Sequence, residues 1–252
     1  ECNIREYRES SYVAEQMALL HKAMELPQFV KEKNILPYSL SFEFEKRNKE
    51  LIKIRKYLKV KRGKNDFEYF LYQNFDRFLE KAEKILEEVK KSSVLCSGPD
   101  FLKKGCLCHG DFQHHNALFC QEEVFIINFE KYLLDSPMRD LSLFFRKMME
   151  KNNWSKELGL FVLQSYEKQK KLSQEDKLQL YFRLSYPEKF WKIANFYYSS
   201  PKVWISAKNM EKLQKILIQE EEKFFFFVVP PIFDQIFVSF SMSFCYNSVK
   251  YC

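Results

Sequence analysis

The run His109-Gly110-Asp111-Phe112-Gln113-His114-His115-Asn116, followed at a short interval by Ile126-Ile127-Asn128-Phe129-Glu130, limits the folds open to this chain more than any other stretch. Short strand-like pieces surround both loops. Leu107-Cys108 precedes the first, Ala117 to Cys120 follows it, and Val124 to Ile127 leads into Asn128, with polar Gln121-Glu122-Glu123 as the intervening turn. The order strand, loop, strand, turn, strand predicts a small β-hairpin that brings Asp111, Asn116 and Asn128 to one place.

A carboxylate and a carboxamide five residues apart on one loop suit phosphoryl transfer, which asks a protein mainly to position reactants and neutralise charge. On this reading Asp111 orients or accepts the proton of an attacking hydroxyl, and Asn116 offers an oxygen to magnesium. Asn128, at the end of its strand, should face the same metal. Magnesium favours carboxylate oxygens, so a carboxamide at 128 removes one negative charge from the metal's surroundings. Metal affinity, and with it transfer, is expected to be weak. Taken alone, His109-Gly110-Asp111 also suits an ordinary turn in which aspartate bonds nearby amides. The kinase-like reading rests on the ordered set that adds Asn116, a strand, Asn128 and the downstream Asp140.

Elsewhere the periodicity is helical. Phe, Tyr and Trp make up 17% of the chain against five glycines, which favours long helices packed through aromatics over a loop-rich β-fold. Val13, Met17, Leu20 and Met24 recur at helical steps between Ser10 and Leu26, with Pro27 closing the helix and His21 reading as packing on its face. Residues 27–44 read as a connecting loop. Leu51, Ile54 and Leu58 line one helix; Phe67, Leu71, Phe75, Phe78, Ala82, Ile85 and Val89 line the next, with Gly63 at the turn. A packed helical hairpin is expected there, with a free coiled-coil arm as the alternative. After Asp135-Ser136-Pro137, Leu141, Phe144, Phe145 and Met148 mark a helix stopped by Asn152-Asn153. Ser155, Ser173 and Ser206 can cap three more, and Pro187 should end or kink the second of these. The fold class expected is α+β, mainly α-helical.

Seven cysteines at irregular spacings, without a secretory signal, favour a reducing compartment. Cys106, Cys108, His109, His114, His115 and Cys120 crowd together but match no usual zinc spacing, so Cys106 and Cys108 read as alternating strand residues. The net charge of +7 concentrates between Lys46 and Lys64, where ten basic residues face one acid, Glu50. That stretch is either a polyanion surface or the solvated side of the Leu51 helix. No stacking-aromatic motif accompanies it, so specific nucleic-acid recognition is not expected. Phe224 to Cys252 holds eight Phe, the pair Pro230-Pro231, and only Asp234 and Lys250 as charges. A spanning helix needs about twenty uninterrupted apolar residues, which the prolines and Asp234 break. A poorly specified, aggregation-prone tail is expected there, not a membrane anchor.

The loops, together with several longer segments, resemble the spore-coat CotS family, a branch of the aminoglycoside-phosphotransferase-like kinases. Glu1-Cys2-Asn3 is similar to the family's hinge and Val13 to Met24, with Leu20-His21, to its next helix. Further similarity lies in Met138-Arg139-Asp140-Leu141 through Trp154, in Leu184 through Lys192, and in Trp204-Ile205-Ser206. The resemblance implies that Asp111 is the catalytic aspartate, that Asn116 is the first metal ligand, that Asn128 stands where active relatives carry aspartate, and that His109 and Asp140 support the loop. It implies a C-terminal kinase-like lobe over residues 1–223, comprising a helical insert at about 46–91, catalytic and metal loops at 107–130 and helices at 138–223, with 224–252 outside the fold. A hinge at Glu1 implies a nucleotide-binding lobe upstream, so that the N-terminal lobe is absent here and this stretch alone is expected to be inactive. Magnesium and ATP are the cofactors implied for the intact protein, none for this stretch. Other spore coat proteins, and a sugar or other small molecule with a hydroxyl, are the partners implied. The implied location is the mother-cell cytoplasm and then the spore coat.

Overall fold

The computed structural model describes residues 1–25, 39–92, 106–120, 123–200 and 207–228, and these are mainly helical. They divide into two compact units. The first takes the described residues within 1–35, 99–183 and 221–252; the second takes those within 36–98 and 184–220.

In the first unit, α1 (Tyr7–Ala23) buries Val13, Ala14, Met17 and Ala18. It packs chiefly against α5 (Lys156–Gln169) and also against α4 (Met138–Lys151). These contacts follow from the apolar stripe read in the sequence. Asn152 and Asn153 stop α4, Asn153 and Trp154 adopting positive φ (47° and 53°), and Ser155 caps α5 by accepting from the Leu158 amide. Ser173 caps α6 (Gln174–Ser185) reciprocally with Asp176, as its spacing predicts.

Two short antiparallel ribbons carry the loops. β1 (Cys106–Cys108) pairs with β4 (Leu133–Asp135), placing Cys106 opposite Asp135 and Cys108 opposite Leu133. β2 (Ala117–Cys120) pairs with β3 (Glu123–Ile126), Ala117 opposite Ile126. Two details correct the sequence reading. Glu123 lies in the strand, and β4, three residues long, had no periodicity from which to be foreseen. Gln121 and Glu122 lie outside the described residues, as do Leu26, Pro27 and the Ser92–Lys104 loop beyond Ser92.

In the second unit, α2 (Leu40–Val60) begins under a Ser39 cap whose hydroxyl accepts from the Phe42 amide at 3.3 Å. Residues 40–44 are therefore helical, against the expectation of a loop, because Ser39 supplies the acceptor that the first turn lacks. Gly63, at φ 64°, turns the chain into α3 (Asp66–Lys91), whose start carries a full capping box between Asn65 and Glu68. All seven residues of the predicted α3 stripe are buried. Phe75 and Phe78 meet Phe190 of α7 (Glu188–Ser199), with centroids 5.2 and 4.3 Å apart. The stripe therefore packs within the unit. Tyr186 stacks on Phe44 at 4.2 Å and donates to Asn48 Oδ1 at 2.8 Å. Pro187 stands at the N-terminus of α7, where a missing amide costs least.

The last helix, α8 (Ala207–Val228), runs past the expected end at Glu222. Phe226 is buried against Phe145 and Trp154, and its ring lies where a Cβ on Gly159 would come within 2.6 Å. Residues 225–227 thus contribute to the core and to its edge. Ser206 and residues 229–252 lie outside the described residues. No helix among the described residues is long and apolar enough to cross a membrane.

Candidate functional site

The loop from His109 to Asn116 leaves β1 through Gly110, which has φ 80°. A Cβ there would come within 2.0 Å of the Lys131 carbonyl oxygen, so both the backbone angle and the close approach require glycine. From below, the wholly buried Asp140 carboxylate accepts from the His109 amide at 2.6 Å and from the Gly110 amide at 2.9 Å. His21 Nε2 lies 3.4 Å from Asp140 Oδ2, and His21 Nδ1 lies 2.8 Å from the Tyr166 hydroxyl. Burial pushes the Tyr166 phenol far above its ordinary range, so the hydroxyl keeps its proton beside Nδ1. Two amides and an imidazole thus meet one carboxylate, which is how a buried charge is tolerated.

His109 ties the first loop to the second. Its Nε2 lies 2.8 Å from the Ile127 carbonyl oxygen, and its Nδ1 accepts from the Asp111 amide at 3.2 Å. An acceptor on one side and a donor on the other fix the tautomer with hydrogen on Nε2. The Ile127 amide donates to the Asn116 carbonyl at 3.0 Å, extending the β2–β3 ladder to the loop mouth. The residues expected to act together, His109, Asp111, Asn116, Asn128 and Asp140, are all brought together.

Asp111 has both carboxylate oxygens engaged. Gln113 Nε2 donates to Oδ1 at 2.5 Å and Lys131 Nζ to Oδ2 at 2.7 Å. Burial pushes the Asp111 carboxyl upward, but the bonds from Lys131 and Gln113 together outweigh it and hold the group below the usual carboxylate range. Asp111 is therefore an ionised acceptor at neutral pH.

Asn116 is buried and donates through Nδ2 to the Asp111 carbonyl at 2.9 Å. Its Oδ1 must then face the other way, where it accepts from Asn128 Nδ2 at 2.9 Å. Asn128 has φ 64° and ψ 61°, a left-handed conformation that asparagine tolerates better than most residues. The orientation of both carboxamides follows from the one fixed carbonyl.

This arrangement does not fit magnesium. The Asn116 oxygen that would ligate the ion is occupied by an N–H, the Asn128 donor is neutral, and Asp111 is paired with an ammonium. Among the described residues, no group of three or more His, Cys, Asp or Glu side chains could hold a metal ion. Cys106 and Cys108 alternate on β1 as expected, both buried, with sulfurs 3.6 Å apart. Their mutual contact and burial hold the Cys108 thiol well above its ordinary value, so it remains protonated.

Sequence reasoning missed the parts played by His21, Tyr166, Gln113 and Lys131. Gln113 and Lys131 lie two residues beyond Asp111 and three beyond Asn128, so proximity to the named residues was a usable signal. His21 reaches its partners only through the fold.

The chain matches the family model described as spore coat putative kinase YutH across residues 1–227. Spore coat protein S of Bacillus subtilis (strain 168) is 24% identical over 173 residues, which are 68% of this chain and 49% of that protein. The chain thus spans about half the length of this curated relative. Among solved structures, an aminoglycoside phosphotransferase from Alicyclobacillus acidocaldarius superposes with a TM-score of 0.77 at 20% identity, covering 89% of this chain and 66% of that one. A spectinomycin phosphotransferase in complex with ADP and spectinomycin gives 0.56 at 14%, covering 89% and 68%. At such identities the likeness establishes the fold, which is aminoglycoside-phosphotransferase-like and kinase-like.

Proposed function

The chain belongs to the spore coat putative kinase YutH family, and from that premise we propose a coat-associated protein of CotS type whose kinase-like site transfers phosphate weakly or not at all. It works in coat assembly through contacts with other coat proteins, after synthesis in the mother-cell cytoplasm. The observation that carries this reading is the hydrogen bond from Asn128 Nδ2 to Asn116 Oδ1, which sets a neutral donor where transfer needs a metal-binding acceptor. The residues below the loop remain fully bonded, so the site keeps its shape without its usual charge.

The test is an ATP-dependent transfer and hydrolysis assay on the purified chain beside its Asp111→Ala variant. No turnover above the variant is expected. Turnover lost on Asp111→Ala would overturn the reading and favour a phosphotransferase acting on a hydroxyl of a sugar or other small molecule. One observation favours that second reading: Asp111 stays ionised at the loop mouth, as a group that orients a hydroxyl must. Nucleotide binding belongs to the same second reading, supported by the ADP held by the spectinomycin phosphotransferase of like fold.

A further inference from the structure

The misfit to magnesium has a specific form. A divalent cation in such a site performs two tasks, one structural and one electrostatic: it bridges oxygens from the two loops, and it neutralises the carboxylate beside them. Both tasks are already performed by side chains of this protein. Asn128 Nδ2 bridges to Asn116 Oδ1 at 2.9 Å, and Lys131 Nζ, three residues further along the same loop, reaches Asp111 Oδ2 at 2.7 Å. The backbone holds this geometry, since the Ile127 amide bonds the Asn116 carbonyl and His109 bonds the Ile127 carbonyl.

We infer that the two loops are organised without a divalent cation, the Asn128 carboxamide bridging them where the metal would and the Lys131 ammonium only neutralising Asp111. Asn128 is then a structural replacement and not a lesion. A carboxylate at 128 would set two acceptor oxygens face to face with no hydrogen between them, because Asn116 Nδ2 is committed to the Asp111 carbonyl. Water can separate the pair, but a cation would bridge it directly. The inference rests on reading 109–116 and 126–130 as paired kinase-type loops, but its test uses neither nucleotide nor turnover. Its failure is therefore distinct from failure of the transfer assay.

The experiment compares thermal unfolding of the whole chain and its Asn128→Asp variant in EDTA, in millimolar magnesium, and in potassium chloride of equal ionic strength. The parent is expected to unfold at one midpoint in all three. Asn128→Asp should have a lower midpoint in EDTA, recovered by magnesium and not by potassium chloride. Asn128→Gly, which keeps the left-handed backbone and removes the amide, should be lowered equally in all three. An Asn128→Asp midpoint indifferent to magnesium, or a parent midpoint raised saturably by it, overturns the inference. Should Asn128→Asp fail to fold, manganese decides on the parent alone. The side-chain amide NMR signals of Asn116 and Asn128 should stay sharp in low manganese, and selective broadening of that pair overturns the inference.

Discussion

Below the loop from His109 to Asn116, Asp140, His21 and Tyr166 form a wholly buried chain in which each polar group meets a partner. Above it, Asp111, Asn116, Asn128 and Lys131 bond one another at a surface where Asn128 and Lys131 are open to solvent. The two sides of one loop therefore answer to different physics. A buried carboxylate without its donors costs several kcal/mol, so the lower side is fixed by the requirement to fold. Exposed groups find water whenever a partner is lost, so the upper side can exchange a carboxylate for a carboxamide while the loop keeps its path. The path of the loop from His109 to Asn116 and the charge of the groups facing it from Asn128 and Lys131 are thus set by separate contacts.

The largest effect belongs to the lower side. Asp140→Ala strips two amides and an imidazole of their common acceptor and should cost about 3–5 kcal/mol, as breaking a buried charged network does. Urea unfolding of parent and variant checks this. A loss below about 1 kcal/mol would mean that the strands alone hold the loop, and the contrast between the two sides would collapse.

A smaller effect is expected one shell further down. His21→Leu removes the imidazole between Asp140 and Tyr166 and leaves the Tyr166 hydroxyl buried without its hydrogen-bond partner, a cost of about 1–3 kcal/mol. The same unfolding measurement on a His21→Leu, Tyr166→Phe double variant separates the orphaned hydroxyl from the lost packing. Removing both polar partners should recover part of the loss, since no orphaned hydroxyl remains.

Much of the fold was legible in the sequence, and the gaps have physical causes. The α3 stripe from Phe67 to Val89 is long and regular, and Asn65 with Glu68 announces its start, so local pattern and packing agree. The start of α2 at Leu40 was misread because two prolines upstream suggested a loop that extended too far, although Ser39 carried the cap signal. β4 is too short to show a period and exists because β1 offers it a partner. At the site, Asp111, Asn116, Asn128, His109 and Asp140 were legible because the chemistry places them at short, ordered intervals. His21 was not, because its partner Asp140 lies 119 residues away and a single histidine on an apolar helix face carries no local mark. Phe226 and Phe227 were assigned to a tail by composition, but an aromatic run reads alike whether a core receives it or not.

The smallest effect tests the upper side. Asp111 is ionised because Lys131 and Gln113 outweigh the burial that opposes charge, and its folded pKa lies below the unfolded value. Stability from this group is therefore complete above the ordinary carboxylate pKa and is lost as pH falls through the lowered folded value. Lys131→Met removes the ammonium and leaves Gln113, with the weaker influence of His115, against burial, so the Asp111 carboxyl should titrate at higher pH than in the parent. Carbon-detected NMR titration of the side-chain carboxyls reads both values directly. Because Lys131 is exposed, the variant should unfold at nearly the parent's midpoint at neutral pH, and Asp140→Ala should not. Equal midpoints with a displaced titration are what two separable sides predict. A large loss of stability on Lys131→Met would show instead that the surface charge pair helps to hold the loop, and that the face and the floor form one unit.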